Sequence, residues 1–298
     1  MHYDDGAFYR PLFENNMLQL QVAHGCSHNR CKFCDMYHEP FAISPREEVL
    51  ADLDEAADYF GEAGRETIRR VFLTGGNAFC LPRRELVFVL EAIVERFPRA
   101  SVGCFARVTD IARKGDDDLA ELARRGVGDI SIGTESGLDE ALATMDKGFS
   151  AAESLEQCRR LGEAGLTYDL FYLLGMAGHG AATASAEATA ELYSKLHPQR
   201  VMIHTMTAFA GTELRRMIDA GEFAPAEELE TITELRRFVE LFEPENDVYL
   251  LGNHYGNVAH PCAWLPSQRR EVLEYLDRLL ATQDEGALER RRAQMTSI

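Results

Sequence analysis

Along the chain, short unbroken apolar runs alternate with longer stretches in which apolar residues return every three or four positions. The runs predict strands at 18–23, 70–74, 101–105, 129–133, 167–174 and 200–205. The periodic stretches predict helices at 45–61, 82–97, 116–125, 138–144, 151–164, 182–196 and 212–220. Each strand is thus followed by helix before the next begins. Parallel strands need such crossovers, so the alternation predicts a parallel sheet with helices outside it. Runs that are apolar at nearly every position suit strands covered on both faces. A partial barrel and an open doubly wound sheet both fit this pattern.

Beyond residue 222 the alternation stops. A long helix is expected at 225–242, with Pro225 in its first turn, where a missing N–H is tolerated. A short strand at 247–251, an irregular stretch at 252–266 and helices at 267–282 and 285–294 complete the chain. The expected organisation is therefore a core over 1–222 and a mainly helical extension over 223–298 packed on it.

In parallel α/β folds, ligands meet the loops that follow the C-terminal ends of the strands. The residues least explained by packing stand there. They are Cys26, Cys31 and Cys34 after the first strand, Gly75-Gly76-Asn77 after the second and Arg107 after the third. Glu135-Ser136-Gly137 follows the fourth, Gly175–Gly178 the fifth, and His204 ends the sixth.

Composition narrows the partners. The 298 residues, 46% hydrophobic, can bury a substantial core. The net charge of −18, from 49 acidic and 31 basic residues, argues against a nucleic acid as main partner. Arg290-Arg291-Arg292 reads as a solvated helix face. No run is apolar and long enough to span a bilayer, and the first residues lack a basic-then-apolar secretory pattern. The expectation is a cytoplasmic protein with no membrane partner. Its seven Cys, an odd number, then suit thiols and metal ligands rather than a disulfide framework.

Three of those Cys lie within nine residues, spaced CX4CX2C. Thiolates so close can converge on one metal centre, either an iron–sulfur cluster or zinc. Ordinary clusters and structural zinc take four protein ligands. Cys80, Cys104, Cys158 and Cys262 are scattered and form no second CX2C. A zinc knuckle would need His24 or His28 as its fourth ligand. A cluster held by three Cys would instead leave one iron open.

A three-Cys loop after the first strand, Phe33 just before the last Cys and a Gly-Gly turn after the second strand resemble the radical S-adenosylmethionine (SAM) superfamily. The superfamily's usual spacing is CX3CX2C, one residue shorter. Thr134-Glu135-Ser136-Gly137, followed by Lys147-Gly148, resembles the branch containing oxygen-independent coproporphyrinogen dehydrogenases and the radical SAM subunit of Elongator. Residues 207–214 resemble that branch's PxPGTxL stretch, with Ala for both prolines. The resemblance covers about residues 16–215.

It implies an α/β fold, a partial (β/α)6 TIM-like barrel of parallel strands, and an enzyme carrying a [4Fe–4S] cluster and SAM. Cys26, Cys31 and Cys34 would hold the cluster, and Phe33 would pack near the adenine. Gly75, Gly76 and Asn77 would accept hydrogen bonds from the SAM ammonium. Glu135 would take the ribose hydroxyls, Lys147 the SAM carboxylate, and Leu174, Gly175 and Met176 would flank the adenine. The chemistry implied is reductive cleavage of SAM to a 5′-deoxyadenosyl radical that abstracts hydrogen from a small molecule or peptide. Arg107, Tyr172 and His204 are the expected substrate contacts, with Cys104 a candidate hydrogen donor. A flavodoxin or ferredoxin-type donor would supply the electron. A non-catalytic haem- or cofactor-handling relative, an RNA-modifying enzyme and a zinc-stapled α/β protein are the competing readings.

Overall fold

Strand β4 (Arg70–Thr74) is buried at all five positions, as an apolar run needs when both faces of its sheet are covered. The structure, a computed structural model, describes residues 1–2 and 9–295. Its chain falls into two compact units: residues 1–29, 36–132 and 160–168 form one, and 30–35, 133–159 and 169–298 the other.

The first unit carries β1 (Leu18–Gln21), β2 (Ala23–His24), β3 (Ala42–Ile43), α1 (Arg46–Arg65), β4, α2 (Arg83–Arg96), β5 (Ser101–Ala106), α3 (Val108–Ala112) and α4 (Asp116–Arg124). β1 runs parallel to β4, which runs parallel to β5. Leu20, Val71, Phe72 and Leu73 of these strands and Leu53, Leu90, Ile93 and Phe97 of the flanking helices build its core. Arg70 is buried on a parallel strand and finds compensation in Glu14, 2.7 Å away, and in the carbonyls of Gly128 and Asp129.

β6 (Ile130–Glu135), α6 (Ala151–Glu163) and β7 (Tyr168–Leu174) run through both units. The second unit adds α5 (Asp139–Thr144), α7 (Ala182–Tyr193), β8 (Arg200–Thr205), α8 (Glu213–Asp219), α9 (Glu228–Leu241), β9 (Val248–Leu251), β10 (Cys262–Leu265), α10 (Arg269–Thr282) and α11 (Glu285–Arg292). Tyr172, Tyr193, Phe238 and Phe242 are fully buried in it.

Hydrogen bonds order the strands β1-β4-β5-β6-β7-β8-β9-β10. The core strands follow one another without reversal. That is the singly wound order of a (β/α) barrel, not the reversed order of a doubly wound sheet. The expected partial-barrel topology is therefore the one present.

Three departures from the sequence pattern matter. The run at 18–23 breaks, because β2 leaves the main sheet and pairs antiparallel with β3. The extension does more than pack helices on the core: β9 continues the sheet parallel to β8, and β10 closes it antiparallel. Residues 223–298 also share one compact unit with 169–222.

Candidate functional site

In the first unit, β2 delivers the chain through Gly25 to Cys26. The turn after β4 packs directly on that segment. A Cβ on Gly75 would lie 1.8 Å from the Ala23 carbonyl oxygen, and one on Gly76 would lie 1.9 Å from that of Gly25. Both glycines have left-handed φ, +98° and +59°. This approach of backbone to backbone is why the turn needs two residues without side chains.

Asn77 locks the arrangement. Its Oδ1 accepts from the Ser27 N–H at 2.9 Å, and its Nδ2 donates to Ser27 Oγ and to Asp110 Oδ2, both at 2.7 Å. The side chain expected to accept from an ammonium thus braces the residue next to Cys26. Asp110 also accepts from the Arg107 N–H at 2.8 Å, and the Arg107 Nη1 donates to Thr109 Oγ1. Burial holds the Asp110 carboxyl above its ordinary range, against the bonds from Asn77 and Arg107. Asp110 stands three residues after Arg107 as the helix-capping acid of α3. That spacing was the signal available in the sequence.

Cys104 is enclosed in the core, and burial pushes its thiol, like that of Cys80, up to about 12. The expected hydrogen donor is therefore a buried small side chain of β5 rather than a strand-end group. His24 hydrogen-bonds Gln21 and Ser44 through its two ring nitrogens, so it is not presented as a zinc ligand. All seven Cys are thiols. Among the described residues no group of three or more His, Cys, Asp or Glu surrounds a position for one ion. A cubane is held differently, each thiolate on its own iron, and three thiols in one short loop match that donor set.

In the second unit, the stretch containing Cys31 and Cys34 is pinned at Lys32, whose N–H donates to Met145 O and whose carbonyl accepts from the Leu214 N–H. The Cys34 N–H donates to Cys31 O, closing a tight turn. Three residues singled out in the sequence meet here. Lys147 Nζ lies 3.0 Å from Glu135 Oε1 and 5.6 Å from the ring centroids of both Phe33 and Phe149. Lys147 is buried and Glu135 is nearly so. Glu135 ends β6 with φ +65°, a left-handed conformation that is costly for a side-chain-bearing residue and tends to mark functional sites. Gly133 leaves the space: a Cβ there would lie 2.8 Å from Glu135 Oε1.

Leu174-Gly175-Met176 ends β7, with Gly175 at φ +77°. The Gly175 N–H donates to Glu234 Oε2 at 2.8 Å and the Tyr172 hydroxyl to Glu234 Oε1 at 2.7 Å. Tyr172 is fully buried against Phe238 and Tyr193. It faces α9, so it is a core residue and not the substrate contact expected. Burial raises the Glu234 carboxyl to about 7, against the bonds it accepts from Ser185, Gly175 and Tyr172. The sequence shows Glu234 only as an acid among Thr231, Leu235 and Phe238, on the buried face of α9.

His204 ends β8 and stacks on His254, ring centroids 4.1 Å apart, with the edge of Phe171 against its other side. His204 is half-buried. Burial lowers His204 to about 3 and His254 to about 4, so both imidazoles are neutral near pH 7. His254 Nδ1 accepts from the Gly256 N–H, which leaves Nε2 as its N–H donor.

The chain matches the family model of the radical SAM superfamily over residues 20–192. A search of curated proteins finds no match. Several solved structures share the fold. Methylornithine synthase superposes with a TM-score of 0.55 at 15% identity, covering 93% of this chain and 81% of that one. The cobalamin-dependent SAM radical enzyme OxsB gives 0.56 at 14%, covering 74% and 40%. An archaeal Elp3 from Methanocaldococcus infernus gives 0.51 at 14%, covering 88% and 63%. The chain spans well under half the length of the cobalamin-dependent enzymes it matches, 36% of the Kitasatospora setae methyltransferase TsrM among them.

Proposed function

The chain belongs to the radical SAM superfamily, and we propose that it cleaves SAM reductively and directs the resulting radical at a small molecule or peptide. It is an enzyme whose cofactors are a [4Fe–4S] cluster and SAM. Together these supply a 5′-deoxyadenosyl radical able to abstract hydrogen from an unactivated carbon.

The protein's part is binding, orientation and exclusion of stray hydrogen donors. Cys26, Cys31 and Cys34 would hold the cluster, as membership of the superfamily implies for its three-Cys loop. The Gly75-Gly76 backbone, with Asn77 as its brace, holds Ser27 and so the start of the cysteine loop. Phe33 offers an apolar face for the adenine. Glu135 has two oxygens to accept from ribose hydroxyls, and Lys147 pairs with the methionyl carboxylate. Leu174, Gly175 and Met176 flank the adenine with backbone. Arg107, through its guanidinium, and His204, as a neutral imidazole, are the proposed substrate contacts. The electron comes from a flavodoxin or ferredoxin-type donor.

One observation carries the reading most: Phe33, Lys147 and Glu135 come from separate stretches of sequence and converge, with Glu135 in a costly backbone conformation. Anaerobic reconstitution followed by chemical reduction with SAM tests it. The expected result is about four irons per chain and formation of 5′-deoxyadenosine that disappears in C26A, C31A and C34A. A reconstituted protein that holds iron and SAM but releases no 5′-deoxyadenosine would instead be a non-catalytic relative. A protein that binds one zinc and no iron would sink the proposal.

A further inference from the structure

Glu230 and Glu234 stand four residues apart on α9, on one face of the helix. Each captures a backbone N–H of the loop that follows β7. The Gly175 N–H donates to Glu234 Oε2 at 2.8 Å, and the Gly180 N–H donates to Glu230 Oε1 at 2.7 Å. The other oxygens are used as well: Tyr172 donates to Glu234, while His179 Nδ1 lies 2.8 Å from Glu230 Oε2. Between the two anchors, the His179 N–H donates to Ala224 O at 2.9 Å, and Gly178 passes so close that a Cβ would lie 2.8 Å from the same oxygen.

Within the loop the Gly178 N–H donates to Gly175 O at 3.1 Å and the Ala181 N–H to Gly178 O at 3.3 Å, and these turns leave the Gly175, His179 and Gly180 N–H groups to acceptors outside it. Gly175, Gly178 and Gly180 all have left-handed φ, and three glycines in six residues leave much conformational freedom to be lost on ordering. Packing alone does not explain Glu234 either. A fully buried carboxylate is a costly way to fill space, and an apolar side chain would fill it more cheaply. What the carboxylate adds is an acceptor aimed at the Gly175 N–H. The helix that presents it is itself tied down. Glu285 accepts from the Glu228 and Leu229 N–H groups, and Arg292 forks onto both Glu228 oxygens at 2.7 Å.

We propose that Glu234, assisted by Glu230, is a positioning residue for SAM: it fixes the backbone of residues 175–180 so that Leu174-Gly175-Met176 meets the adenine in one conformation. The proposal rests on the reading of residues 174–176 as adenine-flanking. It gives the extension a task, since the clamp on the cofactor loop comes from α9 and is steadied by α11.

Two measurements test it. Hydrogen exchange over 175–180 is followed in the purified protein without SAM, and SAM binding is measured on the reconstituted protein. In E234A, exchange in this loop should rise at least tenfold while β4 and β8 stay protected. SAM should bind roughly tenfold more weakly, the scale of a lost hydrogen bond to a charged group. E234Q should restore both, because its carbonyl accepts from Gly175 and its amide donates to Tyr172. E230A should loosen the Gly180 end alone and weaken binding less; it keeps the test alive if E234A does not fold. A folded E234A with wild-type affinity overturns the proposal, as does a glutamine variant no better than alanine. Wild-type protein that orders the loop yet binds no SAM overturns the reading of residues 174–176, and this role with it. Wild-type protein that binds SAM beside variants indistinguishable from it overturns the positioning role alone.

Discussion

Replacing Gly76 by Ala puts a Cβ 1.9 Å from the Gly25 carbonyl oxygen and 2.9 Å from the Cys26 Cα. Both neighbours are backbone, so neither can swing aside as a side chain would. Ordinary contact requires Gly25 to retreat by more than an ångström, and Cys26 moves with it. Gly76 also has φ +59°, which costs a residue with a Cβ about 1 kcal/mol. Forced displacement of packed backbone adds about 1–3 kcal/mol. The apoprotein should therefore lose about 2–4 kcal/mol and melt several degrees lower. The functional effect should exceed the thermal one, because a thiolate carried away from its iron no longer ligates. Iron and sulfide per chain after anaerobic reconstitution should fall to the level of C26A. Gly61 is the control: its φ is +64° but no atom stands within 4 Å of the added Cβ. G61A should pay the backbone cost and load a full cluster. A G76A protein with full iron, or a G61A protein as depleted as G76A, would refute the reasoning.

Three further outcomes follow from the same geometry. N77A strands the Ser27 N–H and removes one of the two donors to the buried Asp110 Oδ2, and urea unfolding should register a loss of about 1–3 kcal/mol. K147M removes the cation beside Glu135; iron content should be unchanged while SAM, followed by calorimetry, binds at least about tenfold more weakly. Glu234 is raised from 4.5 to about 7 in the folded protein, so its contribution is fully present below pH 4.5 and is lost as pH rises through 7. Wild-type should lose about 3 kcal/mol over that window relative to E234Q. Comparison with E234Q cancels the titration of His204 and His254. Of the groups around Glu234, Tyr172 stays protonated throughout, Ser185 and the Gly175 N–H do not titrate, and Glu230, lowered, is ionised over most of the window. Parallel urea curves for the two proteins at pH 5 and 8 would contradict this.

The parallel strands were legible because a strand covered on both faces is apolar at every position, a signal that survives without knowledge of its neighbours. The same property hid which way their side chains point. In a half-exposed strand, alternation tells inside from outside; in β7 the burial is nearly continuous, and nothing in Tyr168–Leu174 shows that Tyr172 faces α9. Tyr172 stands near the strand end, yet its hydroxyl turns to Glu234 of α9. β10 escaped for a different reason: Cys262–Leu265 is four residues long and is a strand chiefly because β9 lies beside it. The glycines of the β4 turn could be read, since few side chains tolerate such φ values. The brace that Asn77 makes could not, because Ser27 and Asp110 lie 50 and 33 residues away.

The polar residues at the strand ends therefore divide by what they do before any ligand arrives. Asn77 has its side chain bonded on both sides, to Ser27 and to Asp110. Glu135 and Lys147 differ, because they face each other at 3.0 Å. Lys147 is already buried beside two aromatic rings, so most of the cost of removing its ammonium from water is met on folding. A carboxylate arriving there, as proposed for SAM, would exchange one partner for another on a cation that is already dehydrated and oriented, instead of having to order a solvated lysine. Glu135, relieved of part of that pairing, keeps both oxygens available as acceptors. If Lys147 takes the SAM carboxylate as proposed, an ion pair that would add little as a stabilising contact is in this position a preorganised receptor. This is why Lys147 should govern SAM affinity while leaving cluster loading alone.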